Sequence, residues 1–286
     1  MKEINRAIAK RTLLTIIGGT LIASTGFIGA ALLHGCSSDS GASTGGRRVV
    51  LQTRVTLDPT AISAFVTGFG WKVTLTRAVL ATGGFYYFDG APPLVLRSNH
   101  RPWEFAERWL GIREAHAHPG HYQAGNAVGQ MLEPASVDLF AGPAELAAGD
   151  GISGFYRSAR FSFSAPPMGA LATALGGHIV LTEGRAEKVG EPLRIFRATA
   201  DLVDVERSAA AGHVEGCEFE ETAIESDGVV TVRIKPQVWF DLVDFAQIPA
   251  GSDATPSEFP AESQPKIAFA QGLAQLSAYR FTYSKL

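Results

Sequence analysis

Three of the seven histidines stand within six residues, in Ala115-His116-Ala117-His118-Pro119-Gly120-His121-Tyr122. In an extended segment His116 and His118 point to the same side. Pro119-Gly120 then forces a turn that brings His121 back towards the pair. Three imidazoles so placed suit a transition metal, and neutral imidazole favours Zn, Cu or Ni. The remaining ligand would come from His178, His100, Glu133, Met131 or Cys217. Four protein ligands make a closed structural site, whereas three leave a position for water or a partner. His178 follows Gly176-Gly177 at the head of an alternating run, so it is placed at a strand start and carried as the candidate fourth ligand. His100 and His213 lie in polar contexts and read as solvent-facing.

Other chemistry is sparse. Asp241 and Asp244, and the group Glu218, Glu220 and Glu221, read as solvated carboxylates. No nucleophile elbow, phosphate-binding loop or dinucleotide fingerprint is present. The two cysteines, Cys36 and Cys217, are too few for a disulfide-stapled scaffold or a four-cysteine zinc module. A formal charge of −3 provides no basic field for nucleic acid. Cys217 reads as a buried small hydrophobe.

The elements that must position these groups are mostly strands. Residues 48–57 alternate Val49, Leu51, Thr53, Val55 and Leu57 on one face. Residues 71–80 set Trp71, Val73, Leu75 and Val79 against Lys72, Thr74 and Thr76. Period-two alternation of β-branched and aromatic residues predicts half-buried strands. Further strands are expected at 85–88, 136–140, 154–164, 177–188, 193–205, 214–222, 229–235 and 279–283. Helix signals are confined to a run opened by Pro102-Trp103 and to residues 265–277, where Gly272 weakens the pattern. The expectation is an all-β fold, an antiparallel β-sandwich (or barrel) with one or two short helices. Trp239 and Phe240 are expected in its core.

The N-terminus carries an address. Lys2, Arg6, Lys10 and Arg11 precede an uncharged apolar run at 13–33, as in a secretory signal. The run ends in Leu33-His34-Gly35-Cys36, which resembles the lipobox of bacterial lipoproteins. That resemblance implies a signal peptide over 1–35 and a lipid on Cys36. Ser37 is similar to the outer-membrane sorting choice of Gram-negative lipoproteins. An uncleaved signal anchor is the alternative, and it also places the globular part outside the cytoplasm. Residues 36–47 read as a flexible tether and 48–286 as a single β-rich globular domain. Losing the four basic residues and the one acidic residue of 1–35 moves the charge from −3 to −6.

Two further resemblances bear on function. The histidine spacing, with Gly177-His178, resembles the His-x-His-x-Asp-His motif and later Gly-His of the metallo-β-lactamase superfamily. Gly120 stands where that family has aspartate, and the upstream strand ending in Asp-Thr-Gly is missing, so we read the likeness as convergence. Residues 70–78, the histidine block and residues 239–245 resemble bacterial lipoproteins loosely similar to periplasmic copper-handling β-sandwich proteins. This implies a secreted metal-binding β protein. The favoured expectation is therefore a lipid-anchored, extracytoplasmic protein that holds Cu or Zn on His116, His118, His121 and His178. It would capture, store or deliver metal, with a periplasmic metal-handling protein as partner; a non-enzymatic role is favoured, and the question of an activity stays open. The alternatives are a structural or interaction lipoprotein without metal, and a metal-dependent hydrolase.

Overall fold

The computed structural model describes residues 46–60, 64–93, 123–208 and 212–286. Strands are numbered along the chain. Eight of them close a barrel: β1 (Arg48–Leu57), β4 (Phe85–Phe88), β5 (Ala127–Met131), β7 (Ala144–Ile152), β8 (Gly154–Ser162), β11 (His213–Ile224), β12 (Gly228–Ile234) and β14 (Tyr279–Lys285). A second sheet contains β2 (Ala64–Val66), β3 (Lys72–Thr82), β6 (Ala135–Asp138), β9 (Val180–Glu187), β10 (Arg194–Ala200) and β13 (Ser257–Glu258). The described helices are short: α1 (Ala172–Leu175), α2 (Leu202–Glu206), α3 (Pro236–Phe240) and α4 (Gln264–Leu273). None of them is long and apolar enough to cross a membrane. The expected helix after Pro102 lies outside the described residues.

The chain is thus mostly β, and of the two architectures expected it is the barrel that closes. Around it the order is β1-β12-β14-β11-β8-β4-β5-β7. The barrel is mixed, because the C-terminal strand β14 is inserted between β11 and β12. Those two strands are joined by the Glu225–Asp227 turn and run in opposite directions. A strand laid between them must therefore run parallel to one, and β14 pairs parallel with β11 and antiparallel with β12. The pair β1/β12 is also parallel, and the antiparallel pair β7/β1 closes the barrel.

The patterning that predicted β1 is the patterning that folds it. Val49, Leu51, Thr53 and Val55 are buried while Val50 and Gln52 face out. The barrel interior is filled by rings, as eight strands leave width only for side chains or one small ligand. Tyr87 sits among Tyr156, Phe219 and Phe281, and Phe161 stacks on Tyr279. The second sheet continues the same core through Phe196, which meets Phe240 and Phe245. Trp239 and Phe240 are fully buried there, as expected.

In β3 one expected face changes sides. Leu75 pairs with Gly184 and Arg77 with Glu183, so one extra residue bulges out of β3. A bulge inverts the parity of everything after it. Val79 consequently leaves the face of Trp71, Val73 and Leu75. It joins Ala81, Leu175 and Leu181 in a separate small cluster, while Ala78 and Leu80 take the main core. The strand expected at 193–205 also stops early. Asp201 and Asp204 form a reciprocal capping box that starts α2, a stronger local signal than the Val203/Val205 alternation.

Gly272, the weak point of the expected C-terminal helix, has a packing reason. A Cβ there would lie 2.5 Å from Trp239 O and 2.6 Å from Trp239 Cα, so α4 rests directly on the α3 backbone. Overpacking of this kind costs about 1–3 kcal/mol, against a helix-propensity gain of about 1 kcal/mol. Gly272→Ala is therefore expected to lower the urea midpoint; an unchanged or raised midpoint would mean the two helices can separate without cost.

Candidate functional site

The residues expected to do chemistry fall into three groups. His116, His118, His121, His100 and Cys36 lie outside the described residues. Cys217 and Met131 belong to the packed core, both essentially inaccessible. Burial pushes the Cys217 thiol up to about 12, and its Sγ lies 3.4 Å from Val214 O. It is a structural residue and unreactive at neutral pH. Glu133 is exposed just past β5. His213 is half-buried, with Nε2 3.6 Å from Glu215 Oε1, rather than solvent-facing. Of the expected solvated carboxylates, Glu218, Glu220, Glu221 and Asp241 are exposed, Glu218 and Glu221 in surface pairs with Arg280 and Arg157, while the half-buried Asp244 is a cap that accepts from Ala246 N. Among the described residues no group of three His, Cys, Asp or Glu is placed to hold a metal ion.

His178 lies just ahead of β9, as the sequence suggests, and is half-buried. Its Nδ1 is 2.6 Å from Asp201 Oδ1. A histidine that donates Nδ1–H to a carboxylate keeps the lone pair of Nε2 for another partner, the arrangement common to metal-ligating histidines. Asp201, 23 residues away in sequence, had no signal that linked it to His178.

The segment that carries the histidine block is held at its two ends. β4 and β5 pair from Phe85↔Met131 to Phe88↔Ala127. Beyond the strands, Gly90 N donates to Ala124 O. The Asp89 carboxylate accepts from Asn126 N at 2.7 Å and Asn126 Nδ2 at 3.0 Å. Ser158 Oγ donates to Gly90 O at 2.7 Å. Asp89-Gly90 thus forms one half of a neck. The same end of the barrel receives the incoming chain. Arg48 pairs with Ile152 at the end of β7, and Gly129 of β5 pairs with Gly151 beside it. Arg47 N and O bond to Ser153 Oγ and N at 2.8 and 2.7 Å. Residues 46–47 and the neck thus flank one strand end.

A cleft opens where α2 and α4 pack against each other. It has a volume of about 330 Å³ and is lined by Asp201, Asp204, Arg207, Phe259, Glu262 and Lys266, with small and aliphatic neighbours. Lys266 is pinned, with Nζ 3.1 Å from Asp204 Oδ2 and 2.6 Å from Thr199 O. Asp204 Oδ2 also accepts from Asp201 N at 2.9 Å. Glu262 has φ of +56°, the one non-glycine residue in the left-handed region among those described.

Comparison of the chain with protein-family models, curated proteins and solved structures gives no match.

Proposed function

We propose that this is a lipid-anchored, extracytoplasmic β-barrel protein that binds a transition metal, Cu or Zn, for capture, storage or delivery. The lipid on Cys36 supplies the membrane attachment, at the outer membrane of a Gram-negative cell. His116, His118 and His121 are the primary ligands and His178 is the candidate fourth. A periplasmic metal-handling protein is the partner that would load or unload the ion. The observation that carries the reading is the histidine triple itself, set between the two arms of a clamped neck. The block stands two to seven residues ahead of Gln123 in the sequence. The Nδ1 contact of His178 with Asp201 supports its inclusion, since it leaves Nε2 for an ion.

The test is titration of the full-length protein in detergent with Zn and with Cu across pH. One ion per chain is expected, with affinity that falls steeply from about pH 7 to about pH 5, because each ligating imidazole must shed its proton. Affinity flat over that range would overturn histidine ligation. A chain that takes up no ion would leave the structural or interaction lipoprotein. Chelator-sensitive hydrolysis of an ester or lactam would favour the hydrolase instead.

A further inference from the structure

We propose that the cleft between α2 and α4 binds a small zwitterion with an apolar body, of the α-amino-acid class. The argument starts from which charges in the cleft are already spent. Lys266 and Asp204 neutralise each other at 3.1 Å, and Lys266 donates to Thr199 O as well. Asp201 is occupied by His178 and by the cap of α2. What remains is one cation and one anion. The side chains of Arg207 and Glu262 are exposed, line the same cleft and make no hydrogen bond or ion pair with any described residue. They do not pair with each other either, although both face the same opening.

Part of the same lining is apolar. Phe259 and Ala270 are buried, and Ile267 leaves half its surface exposed in the cleft. A cavity of about 330 Å³ falls at the small end of ligand sites. A ligand with a carboxylate can take the two-pronged guanidinium of Arg207. The same ligand's ammonium can take Glu262, while an aliphatic side chain covers Ile267 and Phe259. A simple anion or a simple cation would leave one of the two charges unused.

The backbone at Glu262 supports a role for that residue in particular. A non-glycine residue in the left-handed region is strained, because its Cβ crowds the following carbonyl. Such strain persists where the surroundings impose it, and it concentrates at ligand clamps. Here Ser263 closes the turn, with its N and Oγ donating to Pro260 O at 3.2 and 2.6 Å. A glycine at 262 would satisfy the turn without strain but would forfeit the carboxylate.

The proposal uses none of the clustered histidines, but Asp201 both lines the cleft and contacts His178, so the test keeps the two sites apart by using chelator-treated full-length protein in detergent. Calorimetric titration with L-leucine, L-methionine and L-valine is compared with 3-methylbutylamine and 4-methylpentanoate, which each lack one charge of leucine. At least one amino acid is expected to bind, and the single-charge analogues at least tenfold more weakly. Arg207→Gln and Glu262→Gln should each weaken the amino acid at least tenfold with an unchanged thermal midpoint, since both side chains are exposed. Glu262→Gly should raise the midpoint and still weaken binding. Failure of all three amino acids, equal binding of a single-charge analogue, or binding unaffected by both Gln variants would overturn the proposal.

Discussion

Replacement of Phe161 by Ala is expected to cost about 3–5 kcal/mol of stability, the range for removal of a buried aromatic ring. Phe161 has no accessible surface. Its ring stacks on Tyr279 with centroids 4.1 Å apart and on Phe85 at 5.3 Å, and meets Phe163 edge-on at 5.2 Å. Those partners belong to β14, to β4 and to the residue just past β8, so one ring ties together strands distant in sequence. The C-terminal strand is the most exposed to this loss, because β14 is the wedge that joins β11 to β12. Each aromatic contact adds about 0.5–1.5 kcal/mol beyond the buried area, and truncation leaves a cavity that a ring-lined barrel cannot collapse to fill. Urea unfolding measures it: the midpoint should fall by more than about 1 M with little change in slope. Phe161→Leu should fall between Ala and wild type. A loss under about 1 kcal/mol for Phe161→Ala would mean that the barrel interior repacks and is not held by these rings.

The largest functional effect is expected from His116→Ala/His118→Ala/His121→Ala. Removal of a group that merely orients a ligand already costs 10–100-fold in metal affinity, and this variant removes the ligands themselves. Metal analysis after loading and desalting should find the ion in the wild type and essentially none in the triple variant. Stability in chelator should be equal for the two, because the barrel's core lies elsewhere in the chain. His178→Ala alone should weaken the ion by a smaller factor, and Asp201→Ala should follow it in part, through the Nδ1 contact at 2.6 Å. Full metal retention by the triple variant would exclude the histidine block.

How far the sequence reveals this molecule depends on what each feature needs. A strand with alternating β-branched and aliphatic residues, such as β1, is plain because side-chain period and burial coincide. β7, with the sequence AELAAGDGI, is not. Its weak strand formers are there for space: a Cβ on Gly151 would lie 2.4 Å from Tyr156 Oη, which bonds to Val128 O and Ile152 O. The bulge in β3 is invisible to period counting, which explains why Val79 was placed on the wrong face. The mixed pairing of the barrel arises from the insertion of a distant C-terminal strand, a long-range event that no local pattern encodes. At the start of α2 the Asp201/Asp204 cap competes with the Val203/Val205 alternation, and the cap prevails.

The candidate sites divide in the same way. A histidine cluster is contiguous and declares itself. The partner of His178, the Asp89–Asn126 neck and the α2/α4 cleft are each assembled from segments far apart in the chain. Their residues, taken singly, look like ordinary surface polar groups. The neck shows where the chain leaves and re-enters the described barrel, at the end that also receives residues 46–47.

The most direct measurement is X-ray absorption at the metal edge of the loaded full-length protein. Histidine ligation predicts imidazole scattering, with three or four nitrogen neighbours at about 2.0–2.1 Å for Zn. That signal should vanish in the triple histidine variant. A first shell of oxygen only, without imidazole scattering, or an imidazole signal that survives in the triple variant, would contradict the assignment of His116, His118 and His121 as the metal site.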